Sequence, residues 1–256
     1  MKLALTGISI AHSKSPQLFA AAYPHAPNGS YILLPAPSAE EAIRLFRANG
    51  LQGMNVTMPF KNDIVPFTDV QSDEVKAIGA ANTIVNRQGQ LYAYNTDIHG
   101  VVDSFLQRGV TLNHNKALVL GAGGAGQAAA YALSKAGAQV LWANRTAAKV
   151  EALAERYKVK PLSFPEAVRE LEECPVIVNT LPAGADFLAA LHFHPRQAVL
   201  DADYSGAPLY RQATAAGADY ISGRSWLLWQ AVPAFVLFTG RPPDVEAMKY
   251  EIEGRK

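Results

Sequence analysis

The sequence predicts an α/β protein of two domains, and three observations support this prediction. Strand-like and helix-like segments alternate along the chain, which is typical of parallel sheets covered by helices. A glycine-rich turn at residues 121–126 joins an apolar strand to a helix. With 256 residues, 49% of them hydrophobic, the chain is long and apolar enough to build two modest cores.

The N-terminal half is expected to contain three short strands, two helices and a hairpin. Ser38, followed three residues later by Glu41, predicts a capping box at the start of the second helix. Gln88-Gly89 is the expected turn of the hairpin. The predicted strands are residues 3–5, 31–34 and 54–56, the helices 17–22 and 38–49, and the hairpin arms 83–86 and 91–94.

The second half continues the alternation with longer helices. Its predicted strands are residues 117–120, 140–143, 176–178, 198–201 and 220–221, and its predicted helices include 97–108, a helix from the glycine-rich turn to 133, 226–238 and 245–252. We therefore expect one domain at residues 1–99, joined by the C-terminal helices at 224–256, and a second domain at 100–223.

Composition excludes several classes of protein. The chain has 23 Lys and Arg against 22 Asp and Glu, so it lacks the basic excess of a nucleic-acid-binding protein. Cys174 is the single cysteine, which excludes an internal disulfide and fits a reducing compartment. The uncharged stretch between Arg224 and Arg241 contains Pro233 and is too short to span a membrane comfortably. A cytoplasmic protein with no membrane partner is expected.

The glycine-rich turn has the pattern G-x-G-x-x-G and stands between a strand and a helix, which indicates a Rossmann-type dinucleotide-binding domain. Glycines there permit a tight turn, so that a pyrophosphate can contact backbone N–H groups at the helix N-terminus. The alternative is a turn that only tightens the packing of helix on sheet. The cofactor-binding residues expected here are Gly121, Ala122, Gly123, Gly124 and Ala125.

The residues after the next strand favour NADP over NAD. An NAD site usually places an acidic residue there, to bind the ribose hydroxyls. This chain has Asn144, Arg145 and Thr146, with Lys149 one turn later. The two cations would attract a 2′-phosphate, and Asn144 and Thr146 could donate hydrogen bonds. Thr146 could instead cap the following helix.

Four polar clusters lie at predicted strand ends and loops of the first domain: residues 12–16, 55–61, 79–83 and 95–97. Each cluster alone could be a turn or a cap; Ser13 and Ser15, for example, could cap the helix predicted at Gln17. Together their hydroxyls, amide, amine and carboxylate suit a small polyhydroxylated acid.

With these motifs the chain resembles the shikimate/quinate dehydrogenase family along nearly its whole length. The blocks that match in order and spacing are G-x-x-x-x-H-S-x-S-P at 7–16, N-V-T-x-P-x-K at 55–61, G-A-x-N-T at 79–83, N-T-D at 95–97, the glycine-rich turn, N-R-T at 144–146, Asn179-Thr180 with Pro182, Asp201 with Tyr204, Gly223, and Gln230-Ala231. This joint occurrence is far more specific than the glycine-rich turn.

The resemblance implies an enzyme that reversibly reduces 3-dehydroshikimate to shikimate with NADPH, on the route to chorismate and the aromatic amino acids. It implies an active site in a cleft between the two domains. The residues it implies are Lys61 and Asp97 as the catalytic pair; Ser13 and Ser15 for the substrate carboxylate; Thr57, Asn82 and Gln230 for ring hydroxyls or nearby groups; Tyr204 near the substrate; and Thr180 and Gly223 for the cofactor.

The chemistry of ketone reduction agrees with a lysine in this role, because the forming alkoxide needs a proton donor. Lys61 could alternatively only position and polarise the substrate, or form a surface ion pair with Asp97. Two further hypotheses are an enzyme of the family that acts on quinate or another hydroxy acid, and a non-catalytic NADP-binding regulatory protein. A monomer and a homodimer are both compatible with the sequence.

Some positions depart from the family or stand outside its motifs. Trp226 occupies a position where the family commonly has methionine, which predicts altered packing against the nicotinamide. The segment after Tyr204 is shorter than usual, which leaves the exact placement of this tyrosine open. No metal is expected at His192 and His194, which lack a third ligand cluster nearby. His12 and Cys174 are expected to be structural.

Overall fold

The computed structural model describes residues 1–23 and 30–254, which form two compact units. The first unit consists of Met1–Thr96 and Leu227–Lys256, and the second of Asp97–Trp226. Helices and strands alternate in both, as the sequence predicts. No helix among the described residues is both long and apolar enough to cross a membrane.

Among its described residues, the first unit contains six strands, three α-helices in its N-terminal segment, and two C-terminal α-helices. Its strands are β1 (Lys2–Gly7), β2 (Ser30–Pro35), β3 (Gly53–Val56), β4 (Val70–Gln71), β5 (Thr83–Arg87) and β6 (Gln90–Tyr94). Its N-terminal helices are α1 (Ser15–Ala21), α2 (Ala39–Ala48) and α3 (Asp73–Ile78). β4 and α3 were not predicted from the sequence.

The sheet of the first unit has the order β2-β1-β3-β5-β6-β4. β1 pairs with β2 and β3 in parallel, whereas β5 is antiparallel to both β3 and β6. The predicted hairpin is confirmed, and Gln88 and Gly89 in its turn have φ of +54° and +91°. Because the hairpin extends this sheet, the sheet is mixed and not purely parallel.

Helix α2 shows how the core of this unit forms. Its inner face places Ala42, Ile43 and Phe46 against the sheet. Ser38 caps the helix by accepting a hydrogen bond from the N–H of Glu41 at 3.1 Å. The predicted capping box is only half present, because the Glu41 carboxylate accepts hydrogen bonds from Arg44 instead.

The second unit contains the remaining strands and most of the longer helices. Its strands are β7 (Lys116–Leu120), β8 (Gln139–Ala143), β9 (Lys160–Leu162), β10 (Val176–Asn179), β11 (Ala198–Asp201) and β12 (Asp219–Ser222). Its helices are α4 (Asp97–Leu106), α5 (Gly124–Lys135), α6 (Ala147–Tyr157), α7 (Phe164–Glu170) and α8 (Tyr210–Ala215). Helix α9 (Gly223–Thr239) begins in this unit and continues into the first, where α10 (Val245–Glu253) follows.

The sheet of the second unit is parallel throughout, in the order β12-β11-β10-β7-β8-β9. The chain runs outward from β7 through β8 to β9, then returns to β10 on the other side of β7. Strand order therefore reverses between β7 and β10, and dinucleotides bind at the carboxyl ends of strands at such a switch point. This is the Rossmann-type topology that the glycine-rich turn predicts.

Candidate active site

The first polar cluster lies at the start of α1, where two serines bond to each other. The Ser13 hydroxyl donates to the Ser15 hydroxyl oxygen at 3.2 Å and accepts from the Ser15 N–H at the same distance. Lys14 occupies the N-cap position of α1 and makes no side-chain cap bond. Ser13 therefore satisfies one N–H group at the start of α1, although it stands one residue before the N-cap position.

Tyr31 on β2 connects this serine pair to the end of β3. Its hydroxyl donates to Asn55 Oδ1 at 2.9 Å, and its ring stacks on Phe19 of α1 with centroids 4.4 Å apart. Burial raises the pKa of Tyr31 well above its ordinary value, while a hydrogen bond from Ser15 acts in the opposite direction. The tyrosine therefore stays protonated, and its hydroxyl can donate a hydrogen bond to Asn55. Sequence reasoning missed Tyr31, because an alternating strand gives no sign of what its inward tyrosine contacts.

Asn55 carries the network across the sheet to the hairpin. Its amide nitrogen donates to the Asn82 carbonyl at 3.2 Å and to the Thr83 hydroxyl at 3.1 Å. The Thr83 hydroxyl donates in turn to Asn82 Oδ1 at 3.0 Å. Asn55 and Thr83 are direct partners in the antiparallel β3–β5 pairing, which places the two side chains side by side.

Asn82 joins the hairpin to the C-terminal helix of the same unit. Its Nδ2 donates to Gln230 Oε1 at 2.7 Å, and its Oδ1 accepts from the backbone N–H of Thr96 at 2.7 Å. Asn82 is buried, so these bonds fix its orientation. With the Ser15–Tyr31 bond, these contacts form one continuous network, which we call the serine–glutamine network; it contains Ser13, Ser15, Tyr31, Asn55, Thr83, Asn82 and Gln230.

Thr57 and Lys61 lie just beyond the carboxyl end of β3 in the same unit. The Thr57 N–H donates to the Thr6 carbonyl at 2.9 Å, and the Lys61 carbonyl accepts from the N–H of Ala81 at 2.7 Å. Both side chains are half-buried. A side chain at Gly7 would collide with Thr57, with Cβ only 2.6 Å from Cγ2, so the glycine in the first motif is required by this close approach.

Asp97 is the first residue of α4 and is 1% exposed. Its Oδ1 accepts a hydrogen bond from the indole N–H of Trp226 at 3.0 Å. Lys61 belongs to the first unit and Asp97 to the second. The pairing of the two side chains stays a prediction.

The glycine-rich turn has the close packing that dinucleotide-binding turns need. Gly121 has φ of +103°, and a Cβ on Gly121 or Gly126 would collide with the Thr180 hydroxyl or with the carbonyl oxygen of Gly121, respectively. Gly123 differs, since a Cβ there would meet no atom within 4 Å. Its open side lies at the N-cap of α5, which has no side-chain cap. The arrangement fits a pyrophosphate on the N–H groups of the first turn.

Two neighbours hold this turn in place. The indole N–H of Trp142 donates to the Gly121 carbonyl at 2.7 Å, and the Thr180 hydroxyl donates to the Leu120 carbonyl at 2.7 Å. Thr180 therefore supports the turn directly. Its contact with the cofactor stays a prediction.

The predicted 2′-phosphate residues follow β8. Arg145 and Lys149 are exposed, and Asn144 Nδ2 donates to the Thr146 carbonyl at 3.1 Å. Thr146 occupies the N-cap position of α6 but makes no side-chain cap bond, so the capping alternative is wrong. Two exposed cations without a carboxylate at this strand end suit a phosphate better than ribose hydroxyls.

Asn179 and Asp201 form a buried pair that sequence reasoning assigned no role. They are register partners at the ends of β10 and β11, and Asn179 Nδ2 donates to Asp201 Oδ1 at 3.1 Å. The Asp201 carboxylate also accepts from the N–H of Leu209 at 3.2 Å, and burial raises its pKa. The pair therefore anchors the two loops that carry Thr180 and Tyr204. Tyr204 itself is half-buried in a turn.

Gly223 begins α9 directly after β12, against the end of β11. A Cβ at this position would lie 2.6 Å from the Ala202 carbonyl oxygen and 2.7 Å from that of Asp201. A glycine is therefore required by backbone packing alone. Its approach to the nicotinamide stays a prediction.

The remaining polar candidates have local roles. The His194 ring nitrogen Nε2 bonds to the Glu172 carbonyl at 2.9 Å, and Nδ1 accepts from the N–H of Arg196 at 3.3 Å. Within the described ranges, no group of three His, Cys, Asp or Glu residues could hold a metal ion. Cys174 is buried, and burial raises its pKa to about 12, which makes its thiol unreactive.

Three family models match successive parts of the chain. Residues 5–84 match the shikimate dehydrogenase substrate binding domain, residues 104–191 match shikimate / quinate 5-dehydrogenase, and residues 227–250 match the shikimate 5′-dehydrogenase C-terminal domain. The first and third matches both lie within the first unit.

Similar proteins cover the chain almost completely. Shikimate dehydrogenase (NADP(+)) of Carboxydothermus hydrogenoformans is 37% identical, over 97% of this chain and 95% of its own. The protein of the same name from Halobacterium salinarum is 40% identical, over 98% of each. The crystal structure of shikimate 5-dehydrogenase from Thermus thermophilus in complex with NADP(H) and shikimate has a TM-score of 0.87 and 31% identity, over 99% of this chain and 98% of its own. This chain belongs to the shikimate dehydrogenase family.

Proposed function

We propose that this protein reduces 3-dehydroshikimate to shikimate with NADPH, reversibly, as a step towards the aromatic amino acids. The observation that carries the proposal is full-length similarity to proteins named shikimate dehydrogenase (NADP(+)), one of whose solved relatives holds both NADP(H) and shikimate. The single, buried cysteine of this chain agrees with a cytoplasmic enzyme.

The two units would bind different ligands. We assign substrate binding to residues 1–99 with 224–256, and NADP binding to residues 100–223. In support, the serine–glutamine network lies entirely within the first unit, and the glycine-rich turn with Arg145 and Lys149 lies within the second.

The substrate carboxylate is assigned to Ser13 and Ser15. The two hydroxyls are close enough to bond to each other at 3.2 Å, so one carboxylate could accept from both. Thr57, Asn82 and Gln230 are assigned to the ring hydroxyls, and Tyr204 to the neighbourhood of the substrate. Asn82 and Gln230 are already oriented by their mutual bond, which lowers the entropic cost of binding.

Lys61 and Asp97 are assigned to proton transfer at the oxygen that is interconverted between ketone and alcohol. Bound NADPH supplies the hydride. As carbon receives the hydride, the carbonyl oxygen gains charge, and the Lys61 ammonium would neutralise it by giving up a proton. In the oxidation direction Lys61 would accept that proton. The Asp97 carboxylate would bind the substrate hydroxyl and stabilise the charged lysine.

The residues assigned to NADP are the glycine-rich turn (Gly121, Ala122, Gly123, Gly124, Ala125), the group Asn144, Arg145, Thr146 and Lys149, and Thr180 and Gly223. The turn would bind the pyrophosphate through backbone N–H groups, and Arg145 and Lys149 would bind the 2′-phosphate. Arg145 and Lys149 are both exposed, so a hydrated phosphate group can reach them from solvent.

Steady-state oxidation of shikimate and quinate, each with NADP and NAD, tests the function. We expect the highest kcat/KM with shikimate and NADP. A higher kcat/KM with quinate would show that the protein is a quinate dehydrogenase of the same family. No turnover in any of the four combinations would refute the dehydrogenase assignment.

Lys61→Ala should lower kcat for shikimate oxidation by about 10²- to 10⁴-fold, the usual contribution of a general acid-base group. Lys76→Ala, at an exposed lysine of the same unit, serves as the control and should leave turnover unchanged. If Lys61→Ala keeps its kcat and only KM rises, Lys61 positions the substrate and does not transfer the proton.

Arg145→Ala should raise KM for NADP about 10-fold or more and leave KM for NAD nearly unchanged, because only NADP carries the 2′-phosphate. Arg169→Ala, at an exposed arginine of the same unit, is the matched control. Equal effects on the two cofactors would show that Arg145 supports the structure of the loop.

Tyr31→Phe should raise KM for shikimate about 5- to 10-fold with little change in kcat, because it removes the bond that links Ser15 to Asn55. The comparison variant is Tyr250→Phe, which makes the same change at an exposed tyrosine of the same unit. An unchanged KM would mean that Ser13 and Ser15 hold their positions without Tyr31.

A further inference from the structure

The indole of Trp226 is held against the carboxylate of Asp97. The N–H donates to Asp97 Oδ1 at 3.0 Å, and both residues are almost completely buried, with 5% and 1% of their surface exposed. They are the last and first residues of the second unit, so the bond lies where the chain enters and leaves that unit. The bond is therefore a contact within one unit, between residues 129 positions apart.

Helix α4 has a space for this ring. Gly100 is one turn after Asp97, and a Cβ at Gly100 would lie 2.8 Å from the indole nitrogen and 2.9 Å from the Trp226 carbonyl oxygen. Any larger residue at this position would push the indole away from the carboxylate. Gly100 thus provides independent evidence that the contact is part of the fold.

The surroundings of the ring fix the direction of its N–H group. Trp226 packs in the same hydrophobic cluster as Val101 and Phe105 of α4. An indole has a single donor and no acceptor, and its position depends on only two side-chain torsions. Packing therefore fixes the position of the donor, and the donor holds Oδ1 of the carboxylate.

We propose that Trp226 is a positioning residue for Asp97: its N–H orients the carboxylate for its contact with the substrate hydroxyl. This inference rests on the proposed function, in which Asp97 is catalytic. Trp226 acts through Asp97 and has no chemical role of its own. The loss of one hydrogen bond to a charged group corresponds to a reduction in rate of about 10- to 100-fold.

Trp226→Phe tests the proposal, because it keeps an aromatic ring and removes the donor. We expect kcat for shikimate oxidation to fall at least about 10-fold, with a change in KM below about threefold. Trp229→Phe makes the same change one turn later on α9, at a ring beside Lys249, and should keep the activity of the wild type within about twofold. An unchanged kcat in Trp226→Phe would overturn the proposal.

The double variant Asp97→Asn/Trp226→Phe separates positioning from a purely structural role. If Trp226 acts through Asp97, removing the indole N–H should have little further effect on the residual turnover of Asp97→Asn. If the two losses multiply, Trp226 acts independently of Asp97 and the proposal is wrong. Should Trp226→Phe fail to fold, site-specific replacement of Trp226 by 3-benzothienylalanine, which has sulfur in place of the N–H, gives the same test in an isosteric ring.

Failure of this proposal and failure of the proposed function give different results. The wild-type protein is assayed first with shikimate and NADP, and absence of turnover there refutes the function. Turnover in the wild type, loss in Asp97→Asn and full activity in Trp226→Phe would refute only the role of Trp226.

Discussion

The hydrogen bond between Tyr31 and Asn55 joins the two halves of the polar network in the first unit. On one side of it are Ser13 and Ser15 at the start of α1, and on the other are Thr83, Asn82 and Gln230. Each group is a donor to the next, and each is at least partly buried, so an unpaired member would cost about 1–3 kcal/mol. Through this link, the side chains of a loop, two strands, a hairpin and a C-terminal helix belong to one network.

The second unit uses close backbone packing where the first uses side-chain hydrogen bonds. Gly121 and Gly126 bring the start of α5 against the end of β7, and Gly223 brings α9 against the end of β11. Gly100 does the same for the indole of Trp226. At each of these glycines, a neighbouring atom already occupies the space that a side chain would need. The buried Asn179–Asp201 pair anchors the loops that follow β10 and β11.

The sequence was sufficient to predict the strand–helix alternation and the Rossmann-type topology, because buried strands, glycine turns and caps leave local patterns. It was not sufficient to predict β4 and α3, which are short and lack clear periodicity. The motifs identified the residues of the serine–glutamine network except Tyr31, since its role depends on pairing between residues 24 positions apart. The bond between Trp226 and Asp97 was also missed, because nothing local to either residue indicates a partner so distant in the chain.

The discontinuity of the first unit has a consequence for its synthesis. Asp97–Trp226 is one continuous segment, so the second unit has all its strands as soon as that segment has been translated. The first unit contains Leu227–Lys256 and hence Gln230, which accepts the hydrogen bond of Asn82. On the ribosome, the N-terminal sheet must therefore remain without its last helices while the whole second unit emerges. Phe235 and Phe238, which contact Phe19 of α1, reach their places only after the second unit has been translated.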